Sequence, residues 1–396
     1  GDRPARRNLA ERPGGARARF GRRRMNAVVS AAKKRFLLYG ANGYTGRLIL
    51  DAALEKGLLV TVAGRRREAI EPLAKERGLP FLVFGLDEAP RRLAGRVTPF
   101  GALLLAAGPF SRTSAPALAA CLAARVPYLD ITGEIAVLES VFARHPEAVR
   151  AGIPLLPAVG FDVVPSDCLA GALAAALPGA VRLELAFRGF GISGGTARTM
   201  LEGLPKGGMA RVDGKLVSVP PAWKTRTVPF PDRPRLAVTI PWGDLSTAYR
   251  STGIPNIETY IAMPPARVAA LRWAGALLPL ASLLPLQRVV GPWVRNAVTG
   301  PSAEERARER SLLWGRDEDG EGRSVEGTVE TLEGYALTAE TAVLAVERVL
   351  RRSVEPGAFT PSKAFGARFI EKVRDTKMSV PARAADAAPR KTARKA

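Results

Sequence analysis

The chain has 396 residues, 47% apolar and 24% charged, which is enough for two or three domains with cores of their own. Two cysteines, Cys121 and Cys168, and one histidine, His145, exclude a disulfide framework, a four-cysteine zinc site and histidine-rich metal chemistry, so no metal is expected. The net charge of +22 would suit a nucleic-acid binder, but much of it sits at the ends, so no specific nucleic-acid partner is expected.

In chain order, residues 1–35 carry twelve Lys/Arg against Asp2 and Glu11 without apolar periodicity and are read as a disordered basic arm. Met25 is the first methionine, which marks residues 1–24 as a candidate upstream extension. Nearly continuous apolar runs then predict strands at Phe36–Tyr39, Leu58–Ala63, Phe81–Phe84, Ala102–Ala107, Tyr128–Ile131 and Ile153–Val159. Helical stretches separate them at Thr45–Lys56, Glu68–Arg77, Ser114–Ala124 and Leu138–Ala151. That alternation predicts an α/β fold, with a doubly wound parallel Rossmann sheet over 36–165.

Beyond Pro165 the pattern changes. A helix at Ser166–Leu177 leads into the alternating strand Val181–Phe187, and Asp213-Gly214 signals a hairpin turn. Further strands are expected at Trp223–Val228, Leu236–Ile240, Ile257–Met263 and Ser324–Thr331, giving a second α/β (α+β) domain over 166–335. The helix Thr338–Arg351 and the segment Gly357–Lys372 are expected to return to the first domain (336–372), leaving 373–396 as a disordered basic tail. The uncharged run Trp273–Leu286 is too short to span a bilayer, which takes about 18–20 residues. It reads either as a core helix or as a helix lying on a membrane surface, flanked by Arg267, Arg272, Arg288 and Arg295. The protein is therefore expected in the cytoplasm, with a peripheral contact through 268–295 on the inner face of the plasma membrane as the second option; oligomeric state stays open.

The chemistry concentrates in the loop between the first strand and first helix. Gly40, Gly43 and Gly46 bracket Asn42, Tyr44 and Thr45 in a GxxGxxG turn, as a dinucleotide diphosphate requires: a tight turn, close backbone approach, and close helix packing. About 20 residues further on, where NAD-preferring sites carry an acidic residue, the chain reads Gly64-Arg65-Arg66-Arg67. Guanidinium groups suit a 2′-phosphate, so NADP(H) is favoured, with Arg65 the foremost candidate and Arg66 beside it. Gly108, Pro109 and Phe110 form the corner after the fourth strand, where Phe110 either walls a nicotinamide or packs in the core.

Other enzyme classes fail on particular residues. No tyrosine has a lysine four places later, as short-chain dehydrogenases need, and Gly191–Gly195 matches a GxSxG nucleophile turn without any histidine after it. Cys121 and Cys168 read as buried thiols and His145 as a helix or turn residue.

Taken together, GANGYTGR (Gly40–Arg47), AGRR (Ala63–Arg66), AGPF (Ala107–Phe110), YLDITGE (Tyr128–Glu134), GFDVVPSD (Gly160–Asp167) and SGGTA (Ser193–Ala197) resemble the saccharopine dehydrogenase-like oxidoreductases, particularly the trans-acting enoyl reductase branch. The resemblance implies an NADP(H)-binding Rossmann domain joined to a substrate domain, and hydride transfer to an unsaturated (enoyl) or keto lipid or polyketide-type substrate. Arg112–Ala115 and Arg125-Val126-Pro127 depart from the family's pattern around the substrate wall.

Hydride transfer asks the protein to position the cofactor and to manage charge and protons. Tyr128, Asp130 and Asp162 are the candidate catalytic residues, in a polar cluster with Thr132, Glu134 and Asp167. Each also has a structural reading: Asp130 and Thr132 as caps of the helix near Glu134, Asp167 as a cap, Asp162 as a turn-former. Two further functions stay open, a catalytically inactive dinucleotide-binding regulator or scaffold, and an amino-acid dehydrogenase using Arg188 and Arg198.

Overall fold

The computed structural model describes residues 34–189, 207–272 and 300–382. Six parallel strands, β1 (Arg35–Tyr39), β2 (Leu59–Gly64), β3 (Phe81–Val83), β4 (Ala102–Leu105), β5 (Tyr128–Asp130) and β6 (Pro154–Leu156), lie in the order 6-5-4-1-2-3. The order reverses between β1 and β4, so the crevice at which open α/β sheets bind ligands opens beyond Tyr39 and Leu105. Both sheet faces are covered by α1 (Tyr44–Glu55), α2 (Arg67–Glu76), α3 (Pro90–Val97), α4 (Phe110–Ala124), α5 (Ile135–Ala143) and α6 (His145–Ala151). Leu37 and Tyr39 enter one core while Phe36 and Leu38 enter the other, which explains the unbroken apolar run. The single helix expected over Leu138–Ala151 is two, broken at Arg144, because Pro146 supplies no N–H to the preceding turn and instead sits in the first turn of α6.

The chain then crosses through α7 (Val164–Ala176) to a second, mixed sheet. It contains β7 (Ala180–Arg188), β8 (Gly208–Val212), β9 (Lys215–Val219), β10 (Thr225–Pro229), β11 (Pro234–Thr239), β12 (Asn256–Ala262), β13 (Arg310–Asp319) and β14 (Ser324–Leu332). Among these β7 pairs parallel with β12 and antiparallel with β13. At the β8–β9 turn Asp213 (φ 47°) and Gly214 (φ 76°) both take the positive φ that a two-residue hairpin of this type needs. Helix α8 (Asp244–Thr252) precedes β12, and α9 (Ala303–Arg308) precedes β13. The third core forms where Leu169 and Leu173 of α7 meet Leu183, Leu185, Leu313, Val325 and Val329. Gly315 lets the helix settle there, since a Cβ would stand 2.7 Å from Leu173 Cδ1.

The last segment serves both sheets. Helix α10 (Gly334–Leu350) lays Ala342, Val343 and Val346 into the core with Ile49 and Leu50, and β15 (Gly357–Ala358) pairs with β6. After α11 (Pro361–Phe365), however, Phe369, Ile370 and Val373 pack in the third core. The expectation of a disordered tail from 373 is corrected: β16 (Lys377–Ser379) pairs antiparallel with β14, because Met378 has an apolar site to fill. The fold class is an α/β Rossmann-like sheet with a second mixed-sheet domain. Residues 190–206 (with Ser193–Ala197 and Arg198) and 273–299 (with Arg288, Arg295 and the Trp273–Leu286 run) lie outside the described residues, as do 1–33 and 383–396. Among the described residues no helix is long and apolar enough to cross a membrane.

Candidate functional site

The glycine turn is built by contacts that exclude side chains. Gly40 sits at φ +92°, and a Cβ there would lie 2.8 Å from the Ala106 and Ala107 backbone, so the first strand's exit touches the fourth's. A Cβ on Gly46 would stand 2.2 Å from Gly40 O, so only glycine lets α1 begin this close to β1. Gly43 caps α1 with no side-chain bond to the helix, so no side chain of the cap covers the first-turn amides. A helix N-terminus of this kind, reached over a Cβ-free turn, can hold a diphosphate. Asn42, Tyr44 and Thr45 are all half-buried around it.

At the end of β2, Arg65, Arg66 and Arg67 are exposed. Arg67 is engaged with Glu71 (3.1 Å), and Arg66 stands 3.9 Å from Glu68. Arg65 makes no hydrogen bond or ion pair among the described residues. The Asn42 amide oxygen lies 3.2 Å from where a Gly64 Cβ would be, which brings the glycine turn against the base of the arginine run.

Tyr44 does something its sequence position did not announce. Its hydroxyl donates to Pro301 O and accepts from Arg306 Nη1 (2.8 Å), while its ring meets Tyr335 edge-on at 4.9 Å. Gly300, at φ +84°, passes so close to the ring that a Cβ would stand 2.9 Å from it. The turn thus holds the strand-leading segment of the second sheet.

Beyond β4, β5 and β6 the polar cluster divides into sealed and open groups. Tyr128 and Asp130 are both fully buried. The Tyr128 hydroxyl pairs with Ser114 Oγ (3.0 Å) and donates to Asp130 Oδ2 (2.7 Å). Asp130 Oδ1 accepts from the Thr132 (3.0 Å) and Ala158 (2.9 Å) amides, holding Ala158 at φ +60°. Burial lifts the Asp130 pKa to about 6 against these bonds. Thr132 Oγ1 in turn accepts from the Glu134 amide (3.1 Å). Glu134 reaches across to accept from the Phe110 (2.8 Å) and Ser111 (2.9 Å) amides, capping α4 behind the Gly108-Pro109 corner. The Phe110 ring is half-buried against the first core. Asp167 accepts from Ser251 Oγ and from the Ser362 amide (2.7 Å), tying α7 to α8 and α11.

Asp162 differs from all of these. It is half-buried, accepts no hydrogen bond among the described residues, and has burial alone lifting its pKa to about 6. Its carboxylate lies against Gly133, where a Cβ would be 2.7 Å from Oδ2. The loop is pinned from below: Thr338 Oγ1 accepts from the Phe161 amide (3.0 Å) and Thr341 Oγ1 donates to Val159 O (2.8 Å). The start of α8 packs directly on this loop: a Cβ on its cap Gly243 would lie 3.1 Å from Val163 Cγ2, 3.2 Å from Leu138 Cδ1 and 3.3 Å from Gly133 O. Glu139 joins the domains there, accepting from Ser246 Oγ (2.6 Å), Arg250 Nη2 (2.7 Å) and Arg211 Nη2 (3.4 Å). Asp244, the first residue of α8, is fully buried with its pKa pushed well up by burial, then by the charges of Asp167 and Asp162, while the nearby Ser166 hydroxyl favours its ionised form but donates its proton to Val163 O. Arg188 pairs with Asp232 at 3.8 Å. Among the described residues no cluster could hold a metal ion.

No protein-family model matches the chain. It is 32% identical over 151 residues to the trans-acting enoyl reductase of Mycobacterium ulcerans and 31% identical over 149 residues to that of Mycobacterium leprae, 35% of this chain and of each relative. A Mycobacterium tuberculosis protein provisionally given the same name is 33% identical over 181 residues, 42% of this chain and 43% of that one. The chain resembles the trans-acting enoyl reductases. The matched stretches span less than half the length of these relatives. Its fold is that of the apo saccharopine dehydrogenase (L-Glu forming) of Saccharomyces cerevisiae, superposing with a TM-score of 0.59 at 14% identity over 87% of this chain and 100% of that one.

Several of these residues were not singled out by sequence reasoning. The cap by Glu134, the junction at Glu139, the buried Asp244 and the Tyr44–Arg306 contact all join positions far apart in the chain. Only Trp242-Gly243-Asp244 carried a local signal, a helix-start pattern that says nothing of the neighbours it meets.

Proposed function

We propose that this protein is an NADP(H)-dependent oxidoreductase that reduces an enoyl or keto group of a lipid- or polyketide-type substrate by hydride transfer. The observation that carries the reading is the Gly40–Gly46 turn, where Cβ-free approach at Gly40 and Gly46 and a helix start without a side-chain cap meet at the strand-order reversal. These residues fit a dinucleotide diphosphate. Tyr44, Thr45 and Gly46 offer backbone N–H groups to it, Gly43, whose own N–H donates to Gly40 O, gives it close backbone approach, Asn42 borders the adenosine side, and Arg65 with Arg66 takes the 2′-phosphate. Gly108, Pro109 and Phe110 bound the nicotinamide side. A bound nicotinamide supplies the hydride. The names of the curated relatives support an enoyl substrate, and the apolar Trp273–Leu286 run supports a lipid-like one and a peripheral membrane contact through 268–295.

A second reading is a dinucleotide-binding regulator without turnover. It is favoured by the commitment of Tyr128, Asp130 and Glu134 to internal bonds. Titration with NADPH and NADH, following nicotinamide fluorescence in wild type and Arg65→Ala, tests the site. NADPH binding that weakens selectively in the variant supports it, and no binding to either nucleotide overturns it. Oxidation of NADPH dependent on an enoyl or keto lipid then separates the enzyme from the regulator.

A further inference from the structure

Completing a reduction needs a proton as well as a hydride, and only a group with three properties can deliver it: contact with the crevice, a fixed backbone and a proton to give near neutral pH. The carboxyl groups along the β5–β6 edge can be sorted by these criteria. Asp130 is sealed and bonded through both oxygens, Glu134 caps α4, Asp167 is held by Ser251 and Ser362, and Asp244 is fully buried behind the surface. The Tyr128 phenol, itself fully buried, is spent between Ser114 and Asp130. Asp162 is left as the half-exposed member with no hydrogen-bond partner, on a loop pinned by Thr338 and Thr341. The turn-forming role that Asp162 had from sequence would need its carboxylate to bind neighbouring amides, and no such bond forms among the described residues.

Resting on the oxidoreductase reading above, we propose that Asp162 is the catalytic acid of this site, placed on the carboxyl edge of the first sheet facing α8. The surroundings suit the role: burial disfavours its anion, and its charge is felt at the buried Asp244 of α8. For an enoyl thioester, a bound reduced nicotinamide would supply hydride to the β-carbon, and the carbon–carbon π electrons would move toward the carbonyl oxygen as an enolate. The carbonyl re-forms as the α-carbon takes the proton of the Asp162 carboxyl, and the carboxylate left behind recovers a proton from water at its exposed side. The saturated product would then carry one hydride taken from the nicotinamide and one proton drawn, through Asp162, from solvent.

The test compares wild type with Asp162→Asn, an isosteric change at a position without hydrogen bonds to lose, with Tm recorded to confirm the fold. Nicotinamide fluorescence should report the same NADPH affinity in both; loss of binding in wild type itself would overturn the cofactor reading instead. Infrared difference spectra between acid and neutral pH should show a carboxyl band that titrates in wild type and is missing in the variant. Absence of that band overturns the assignment whether or not a substrate has been found. With trans-2-enoyl-CoA as the probe, turnover in the variant should fall about 10²- to 10⁴-fold, and the decline of wild-type rate with rising pH should disappear. A variant that turns over at the wild-type rate with the wild-type pH profile also overturns it.

Discussion

Replacing Gly43 and Gly46 singly by alanine separates what the turn does for folding from what it does for binding. At Gly46 the added methyl would stand 2.2 Å from Gly40 O and 3.0 Å from Ala41 Cα, where ordinary contact begins at 3.4 Å. The obstacle is backbone, so α1 must move outward by about an ångström, and overpacking of this kind costs about 1–3 kcal/mol. For a domain of this size that lowers Tm by about 2–4 °C per kcal/mol. At Gly43 the methyl would meet only Gly40 O, at 3.3 Å, and φ is −71°, a conformation alanine accepts. The free protein should therefore melt within about 1 °C of wild type, since neutral substitutions stay within about 0.5 kcal/mol. The same methyl would occupy the approach of a diphosphate to the α1 amides. Losing one charge-assisted bond costs about 1.5–3 kcal/mol, so NADPH affinity should fall about 10- to 100-fold. Differential scanning fluorimetry and nicotinamide fluorescence read the two quantities on the same samples. Wild-type NADPH affinity in Gly43→Ala would refute the placement of the diphosphate; an unchanged Tm in Gly46→Ala would refute the packing argument.

Further outcomes follow from groups away from the turn. Asp317 is fully buried against α7 without a partner for either oxygen, and burial lifts its pKa to about 8. The folded state then keeps a proton that the unfolded chain releases, so its stability is highest in acid and declines as pH rises from the ordinary carboxylate range through about 8. Urea unfolding at a series of pH values should show that decline in wild type and a shallower one in Asp317→Asn. Glu134→Gln weakens the cap on the Phe110 and Ser111 amides and should cost about 1 kcal/mol of stability, read by the same unfolding. Glu139→Ala removes the acceptor shared by Ser246, Arg250 and Arg211 and leaves the buried Arg211 guanidinium without its carboxylate. Hydrogen exchange should quicken in α5 and α8 together, whereas a change confined to α5 would deny the junction.

What could be read in advance was whatever the backbone demands locally. Gly46 must be glycine because of contacts within one strand–turn–helix unit, and Gly40 and the Asp213-Gly214 pair turn where positive φ is needed. The alternation of apolar strands with helices likewise carried the Rossmann-like sheet. By contrast β13 was missed although it runs ten residues between β7 and β14, because its second half, Arg316–Asp319, is charged throughout. Those charges are met locally, Arg316 by Glu318 on the same face and Asp319 by Arg323 across the hairpin turn, while Asp317 is buried without a partner. The polar cluster after β5 was visible as a cluster, but not its division of labour. Whether Glu134 faces solvent or caps a helix is decided by α4, 24 residues earlier, and whether Asp162 is bound or open is decided by what Gly133 and α8 leave around it.

The phenol of Tyr44 belongs to the turn that would cradle a diphosphate and to the clasp on Pro301 and Arg306 at once. One side chain cannot be shifted for either purpose without the other registering it. Occupancy of the turn and seating of the 300–306 segment would thus be linked quantities, and thermodynamic linkage runs both ways. Whatever affinity a nucleotide would gain from a seated segment, the segment would gain in return, which adds the Tyr44 hydroxyl to the contacts through Glu139 by which the two domains are joined.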